Sequence, residues 1–281
     1  MEKHLLVTVS DSPSHMHGVR FLSSFFGDKS QVKLTLVHVT PSRGQDPGFT
    51  ERGPTAKECE LLEDKALRNA GRLLEESGFP QNKTLCQYRT KAMTTAKDIL
   101  QEAQKGKYDA VVLGRRGTTR LEEALGSSVS MQVLEQERSM PIWICRHIDS
   151  SRSGVLLCVD GSEPSLRIAD HVGFILEGQT DHGVTLFHVP GKETEPAEGI
   201  CSQAREALLR NGIDSSRIAD KRGSGHNVAK AIQKEAQKGE YAAVAMGYSG
   251  SGHKGWRDQF GFGSVSKKLS YDLQGHGLWI S

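Results

Sequence analysis

Two glycine pairs, each directly after a short apolar segment, are the residues of this chain whose spacing best suits a chemical role. They are G-R-R-G at 114–117 and G-Y-S-G at 247–250, and serine-rich stretches follow them, S-S-V-S at 127–130 and G-S-V-S at 263–266. Glycine lets a backbone approach a phosphate closely, and the N–H groups and hydroxyls of a helix start attract an anion. A plain turn followed by a serine cap is the alternative. The double occurrence favours an ancestral phosphate site.

The surrounding sequence is a tandem duplication. T-A-K-D-I-L-Q-E-A-Q-K-G-K-Y at 95–108 returns as V-A-K-A-I-Q-K-E-A-Q-K-G-E-Y at 228–241. Two further pairs occur in the same order, L-L-V-T-V-S-D-S-P-S at 5–14 with L-L-C-V-D-G-S-E-P-S at 156–165, and L-V-H-V at 36–39 with L-F-H-V at 186–189. The repeating unit is therefore about 140 residues long, the size of one domain.

Each half alternates five short apolar runs with four helical patterns, which predicts a doubly wound α/β domain with a parallel sheet. In the first half we expect strands at 5–9, 32–39, 84–89, 110–113 and 142–145, and helices at about 16–26, 57–77, 95–105 and 127–137. In the second half we expect strands at 155–159, 184–189, 217–220, 243–246 and 278–280, and helices near 165–176, 201–211, 227–238 and 264–273. The predicted domains are residues 1–149 and 154–281, joined by a short polar linker.

Composition excludes several classes of function. A formal net charge of +2 in 281 residues gives no field that would imply a nucleic-acid partner. No signal-peptide layout and no apolar run of bilayer length is present, so we expect a soluble cytoplasmic protein without membrane association. The five cysteines show no metal-ligand spacing and are expected to be buried, reduced thiols. No nucleophile elbow, zinc-protease motif or P-loop is found, so no catalytic residue or metal site is assigned.

With these motifs the chain resembles a tandem universal stress protein over essentially all of both halves. The pattern of that family is V-D-G-S at the end of the first strand and Gly-x2-Gly-x9-Gly-Ser/Thr after the fourth. The resemblance implies two Rossmann-like domains, each an open five-stranded parallel sheet flanked by helices, packed as an intrachain pseudo-dimer through their last strands. In the ATP-binding branch of the family, the aspartate holds the ribose and the glycine motif wraps the phosphates. Another branch has lost the motif.

Neither half matches the family pattern completely. In the first half Ser127 stands where the family has glycine, and Ser10 stands in place of the aspartate, with Asp11 adjacent. The second half keeps V-D-G-S at 159–162, but twelve residues, 251–262, separate the second glycine from the third instead of nine. A serine lacks the two acceptor oxygens of a carboxylate. The second half is therefore the better candidate for a nucleotide site.

The resemblance thus implies a stress-response signalling or protective module that binds ATP or AMP, with Mg²⁺ as a possible companion. The nucleotide-binding residues expected in the second half are Asp160, Gly161, Ser162, Val189, Gly247, Gly250, Gly263, Ser264, Val265 and Ser266. A degenerate first site would comprise Ser10, Gly114, Gly117, Ser127 and Ser128.

Two other hypotheses stay open. The protein could be a scaffold that binds a protein partner without nucleotide, and a homodimer is compatible with either function. Slow ATP hydrolysis is the weakest hypothesis, because no general base can be identified.

Four other groups of polar residues have both a structural and a functional interpretation. His15 and His17 lie two apart on a helix and so do not face a shared metal. His38 and His188 end equivalent strands, near the edge where a ligand would bind, and a structural role is favoured. The run at 223–226 could be an anion site, although a loop capped by Asn227 or Ser224 is the simpler interpretation. The arginines at 115–116 could pair with phosphate or face solvent.

Overall fold

The structure is a computed structural model that describes residues 1–10, 16–40, 65–114, 128–136, 139–190, 197–225, 227–248 and 264–281. The chain divides into two compact units. The first unit comprises Glu2–His147, and the second comprises Met1 with Ile148–Ser281.

The first unit is a five-stranded parallel sheet with helices between its strands. The elements are β1 (Lys3–Thr8), α1 (His17–Phe25), β2 (Val32–Thr40), α2 (Lys65–Glu76), β3 (Thr84–Thr90), α3 (Thr95–Gly106), β4 (Ala110–Gly114), α4 (Val129–Gln136) and β5 (Ile142–Cys145). The strand order is β3-β2-β1-β4-β5, and every pair is parallel. Helix α1 packs with α2, and α3 packs with α4.

The second unit repeats this topology. Its elements are β6 (Val155–Cys158), α5 (Glu163–Leu176), β7 (Val184–His188), α6 (Ala197–Arg210), β8 (Ile218–Arg222), α7 (Val228–Gly239), β9 (Ala243–Met246), α8 (Ser264–Asp272) and β10 (Gly277–Ile280). The strand order is β8-β7-β6-β9-β10, and all four pairs are again parallel.

The predicted fold class is confirmed, because continuous apolar runs form strands that are buried on both faces. Strands β5, β6, β9 and β10 are buried at every residue. Strand β8 lies at an edge and buries only Ile218, which is the position expected for a strand rich in charged residues. Strand and helix ends differ from the predicted ones by a few residues. The helix expected to begin at residue 57 is described from Lys65, and 57–64 lie outside the described residues.

The repeated K-G-x-Y segment ends a helix in the same way in both units. Helices α3 and α7 end at glycine, and the next residues, Lys107 and Glu240, adopt left-handed backbone at φ 51° and 53°. Glycine usually occupies that left-handed position. Here it lies one residue earlier, because a Cβ at Gly106 would strike the ring of Tyr108. The glycine therefore makes room for the tyrosine.

That tyrosine satisfies a buried glutamate. In the first unit the Tyr108 hydroxyl donates to Glu102 Oε1 at 3.0 Å, and Arg89 Nη2 donates to Glu102 Oε2 at 2.7 Å. The side chains of this ion pair are both only 6% exposed. Arg89 Nη1 also donates to the carbonyl of Asp98 at 2.8 Å. A buried carboxylate is tolerated only with such partners, so the repeated E-A-Q-K-G-x-Y sequence serves the core.

The second unit satisfies its equivalent glutamate differently. Tyr241 donates to Glu235 Oε1 at 3.1 Å, and Lys221 Nζ lies 2.7 Å from the same carboxylate. The position equivalent to Arg89 is Gly223, where a Cβ would lie 2.7 Å from the side chains of Phe187 and Val189. The cation that pairs with this glutamate is therefore Lys221, a different residue of the edge strand, and its side chain is 43% exposed.

Among the described residues, no helix combines the length and the apolar character that crossing a membrane requires.

Candidate functional site

The candidate site of the second unit lies where β6 and β9 end. These strands are neighbours, with Cys158 paired to Met246. Asp160 follows β6 after one residue, and Gly247 directly follows β9. Parallel strands present their carboxyl ends at one edge, which is where open α/β sheets bind ligands. The fold therefore brings the aspartate and the first glycine of the motif to the same edge.

Asp160 forms a local turn with Ser162. Its Oδ1 accepts from the Ser162 amide at 3.0 Å and from the Ser162 hydroxyl at 2.6 Å. Gly161 between them has φ +79°, and a Cβ there would also lie 3.2 Å from Ile200. The same Asp-x-Ser turn recurs at Asp28–Ser30, Asp149–Ser151 and Asp214–Ser216. One carboxylate oxygen of Asp160 is thus used by the turn, a structural role that the repeated D-x-S spacing in the sequence could have revealed.

The turn leads into the N-terminus of α5. Ser162 is the N-cap and accepts from the Ser165 amide at 3.3 Å. The hydroxyl of Ser165, a residue that the sequence analysis did not identify, donates back to the Ser162 carbonyl at 2.9 Å. This helix start lies beside Gly247, where a Cβ would be 2.8 Å from the amide nitrogen of Ser165. Glycine is required there by the close approach of α5, whether or not a phosphate binds.

The start of α8 lies near the same strand end. Ser264 is its first residue, and Val265 follows, half-buried. The hydroxyl of Ser266 is buried and donates to the carbonyl of Tyr248 at 3.2 Å. Tyr248 is only 6% exposed, and its amide donates to the Ser281 carbonyl at 2.7 Å. Tyr248 is therefore held by α8 through Ser266 and by Ser281, the residue that follows β10.

Much of the glycine motif lies outside the described residues. This holds in the second unit for Gly250, Gly263 and the 251–262 segment. It also holds in the first unit for Gly117, Ser127 and the arginines at 115–116. The roles assigned to these residues stay predictions.

The first unit places Ser10 where the second has Asp160. The Ser10 hydroxyl is buried and has no hydrogen-bond partner among the described residues. Gly114 is the last residue of β4, and Ser128 accepts from the Met131 amide at 3.4 Å as α4 begins. Close contact between first helix and fourth strand is provided here by Gly18, where a Cβ would lie 3.1 Å from Val112.

The histidines that end β2 and β7 are both buried, His38 at 4% and His188 at 2% exposure. His188 Nδ1 lies 2.8 Å from the carbonyl oxygen of Val159, the residue before Asp160. The sequence placed this ring near the ligand edge, but only strand pairing shows that it contacts the strand carrying the aspartate. Val189, the next residue, is half-buried.

The other described candidates from the sequence make contacts that indicate structural roles. Asn227 caps α7, and its Oδ1 accepts from the Lys230 amide at 3.0 Å. His17 packs against His147 with ring centroids 5.2 Å apart, while His15 lies outside the described residues. Among the described residues, no three histidine, cysteine, aspartate or glutamate side chains are grouped to hold a metal.

The described cysteines are poor nucleophiles. Burial raises the pKa of the Cys145 and Cys158 thiols well above the usual range, and burial also raises that of Cys201. These three are free thiols. A raised pKa keeps a thiol in its unreactive protonated form. Cys86 is disulfide-bonded, contrary to the expectation that all five cysteines are reduced.

A sequence model of the Universal stress protein family matches residues 1–145. No curated protein sequence matches the chain.

Solved structures match the fold over the whole chain. A universal stress protein from Archaeoglobus fulgidus DSM 4304 is 18% identical, with a TM-score of 0.68 over 99% of this chain and 95% of that one. The functionally unknown protein PA1789 from Pseudomonas aeruginosa PAO1 is 15% identical, with a TM-score of 0.62 over 99% and 92%. A universal stress protein from Archaeoglobus fulgidus in complex with dAMP covers 52% of this chain and 98% of its own, at 16% identity and a TM-score of 0.36.

Proposed function

Because the chain belongs to the universal stress protein family, we propose that it is a nucleotide-binding module of the stress response that holds ATP or AMP mainly in its second unit. One observation carries the proposal. The carboxylate of Asp160, the N-terminus of α5 and the first glycine after β9 meet at the carboxyl edge of the second sheet. A carboxylate suits sugar hydroxyls, and a helix N-terminus suits phosphate.

The chemistry and the partial exposure of Asp160 suit a contact with a ligand. Ser162 uses Oδ1, and a carboxylate has about four acceptor positions on its two oxygens. Asp160 is also partly accessible, whereas the strand residues before it are buried. The proposed contact is therefore between this carboxylate and ribose hydroxyls.

The phosphates would lie against the backbone that follows β9, in the segment from Gly247 to Ser264. Mg²⁺ usually binds one or two carboxylates together with substrate phosphates. In this proposal a bound Mg²⁺ is held chiefly by the phosphates.

Calorimetric titration of the nucleotide-stripped full chain with ATP, with and without Mg²⁺, tests the proposal. The informative variant is Asp160→Asn, because an asparagine oxygen can still accept from Ser162 while the charge is lost. Hydrogen bonds to charged groups contribute about 1.5–3 kcal/mol, so ATP affinity should fall roughly 10- to 100-fold. Ser10→Ala, the matched change in the first unit, should leave that affinity unchanged. Equal affinities for wild type and Asp160→Asn would refute the assignment.

A scaffold function without nucleotide is the second candidate. Internal satisfaction of the polar groups favours it, since Ser162 engages Asp160 and Ser266 donates to Tyr248. The first unit also has Ser10 at the position of Asp160. Under this alternative wild-type protein gives no heat with ATP, ADP or AMP at two temperatures and no ligand-induced change in Tm.

A further inference from the structure

His188 has a fixed tautomer. Its Nδ1 lies 2.8 Å from the Val159 carbonyl oxygen, and a carbonyl oxygen can only accept a hydrogen bond. Nδ1 therefore carries the hydrogen, and in a neutral imidazole the other nitrogen, Nε2, is then a bare acceptor.

That acceptor is buried and unsatisfied. The residue is 2% exposed, and Nε2 has no hydrogen-bond partner in the described part of the chain. An unsatisfied buried polar atom costs free energy, and most such atoms in folded proteins have a partner in protein, water or ligand. Water or a ligand can therefore serve as the partner of His188 Nε2.

The position of the ring indicates what that partner is. His188 ends β7 and is hydrogen-bonded to the residue immediately before Asp160. Its Nε2 thus lies at the same sheet edge as the proposed ribose contact. An acceptor that is held rigidly beside a binding edge selects ligands that present an N–H or O–H group.

We propose that His188 Nε2 accepts a hydrogen bond from the bound nucleotide and thereby sets the specificity of the second unit. The proposal rests on the proposed function. The donor is a polar hydrogen of the ligand, and it has two sources in a nucleotide such as ATP, namely the amino group of the base and the hydroxyls of the ribose.

The test is a set of calorimetric titrations that crosses one variant with ligand analogues. In His188→Asn the amide nitrogen can replace Nδ1 as donor to Val159, while no atom replaces Nε2. The ligands are ATP, purine riboside triphosphate (which lacks the 6-amino group), 2′-deoxy-ATP and 3′-deoxy-ATP. His38→Asn makes the matched change in the first unit.

Wild-type protein should prefer ATP over the analogue that lacks the critical donor by roughly 3- to 10-fold, the usual contribution of one hydrogen bond. His188→Asn should lose that preference, and His38→Asn should keep it. A preference lost against purine riboside triphosphate identifies the base amino group, and one lost against a deoxy analogue identifies a ribose hydroxyl.

Two results would overturn the inference, and they differ in what else they imply. If His188→Asn keeps every wild-type preference, His188 is not a ligand contact although the nucleotide site stands. If wild-type protein binds no nucleotide, both ideas fail together. A second measurement, on wild-type protein, tests the inference even if His188→Asn does not fold. The ¹⁵N resonance of His188 Nε2 in wild-type protein should shift upfield when ATP is added, and an unchanged resonance at saturation contradicts the inference.

Discussion

The buried ion pair of the first unit can be broken with a nearly isosteric change, Glu102→Gln. The substitution removes the negative charge that lies 2.7 Å from Arg89 Nη2, while the new amide can still accept from Tyr108. The Arg89 guanidinium would remain buried and would keep its hydrogen bond to the Asp98 carbonyl. The variant therefore isolates the effect of removing the charge of Glu102 from this buried pair.

The cost follows from the exposure of the two partners. Removing one partner of a fully buried pair typically destabilises by about 3–5 kcal/mol, and both side chains here are 6% exposed. The equivalent change in the second unit, Glu235→Gln, leaves Lys221, whose side chain is 43% exposed and can regain water. Its expected cost is about 1 kcal/mol or less. The two substitutions are thus matched in chemistry and differ in burial.

Urea unfolding measures the difference, with tryptophan fluorescence as the readout. Trp143 is fully buried in the first unit and Trp279 in the second, so each can report on its own unit in a protein where the other tryptophans are phenylalanine. With a slope of about 2–3 kcal/mol/M, Glu102→Gln should lower the midpoint seen by Trp143 by about 1–2 M. The reasoning is wrong if this shift is no larger than the one that Glu235→Gln causes at Trp279.

Two further predictions concern the second unit. Gly247→Ala should destabilise it by about 1–3 kcal/mol in urea unfolding, because the new Cβ would lie 2.8 Å from the Ser165 amide nitrogen. Gly199→Ala, in an exposed part of a helix with nothing within 4 Å, should instead stabilise by up to about 1 kcal/mol, and a loss there would contradict the contact argument. Burial lowers the pKa of His171 to about 3, below its unfolded value, so its contribution to stability is complete above about pH 6.5 and is lost as the pH falls towards 3. Between pH 7 and pH 5 the free energy of unfolding should therefore fall by about 2 kcal/mol less in His171→Phe than in wild type. Equal decreases would show that His171 binds protons equally in the folded and unfolded states.

Secondary structure could be predicted from sequence because the strands are continuous apolar runs. The segment at 142–145 illustrates this, since I-W-I-C is buried at every position and its strand begins and ends as predicted. Strand β8 begins at Ile218, one residue after the predicted start at Arg217. That arginine belongs instead to the short 3-10 turn before the strand, and its side chain donates to the carbonyls of Gln179 and His182. Such a tertiary contact leaves no local pattern in the sequence.

The repeated segment shows a different limit of sequence reasoning. The repetition of E-A-Q-K-G-x-Y indicates that the segment has a role in both units, but it does not indicate which role. Its reason is that Glu102 and Tyr108 meet across the end of a helix, which requires the backbone geometry at Lys107. By contrast, the Asp160–Ser162 turn is local, and its D-x-S spacing was readable from the sequence alone.

At the candidate site, the sequence predicts that the aspartate, the first glycine and the helix start lie at one edge of the sheet, because strand ends determine that edge. It could not identify Ser165 or the hydrogen bond from His188 to Val159, which depend on how β6 and β7 align.

The difference between Arg89 and Gly223 has a consequence for how the duplicated chain folds. Two units of one topology on a single polypeptide risk exchanging equivalent strands before either is complete. If β3 took the place of β8, Arg89 would have to occupy the position of Gly223, where even a Cβ lies 2.7 Å from Phe187 and Val189. The reverse exchange would replace the buried Arg89 beside Glu102 by Lys221, whose side chain is 43% exposed in its own unit. The different placement of the cation therefore makes the two edge strands poorly interchangeable, and we expect it to disfavour their exchange while the duplicated chain folds.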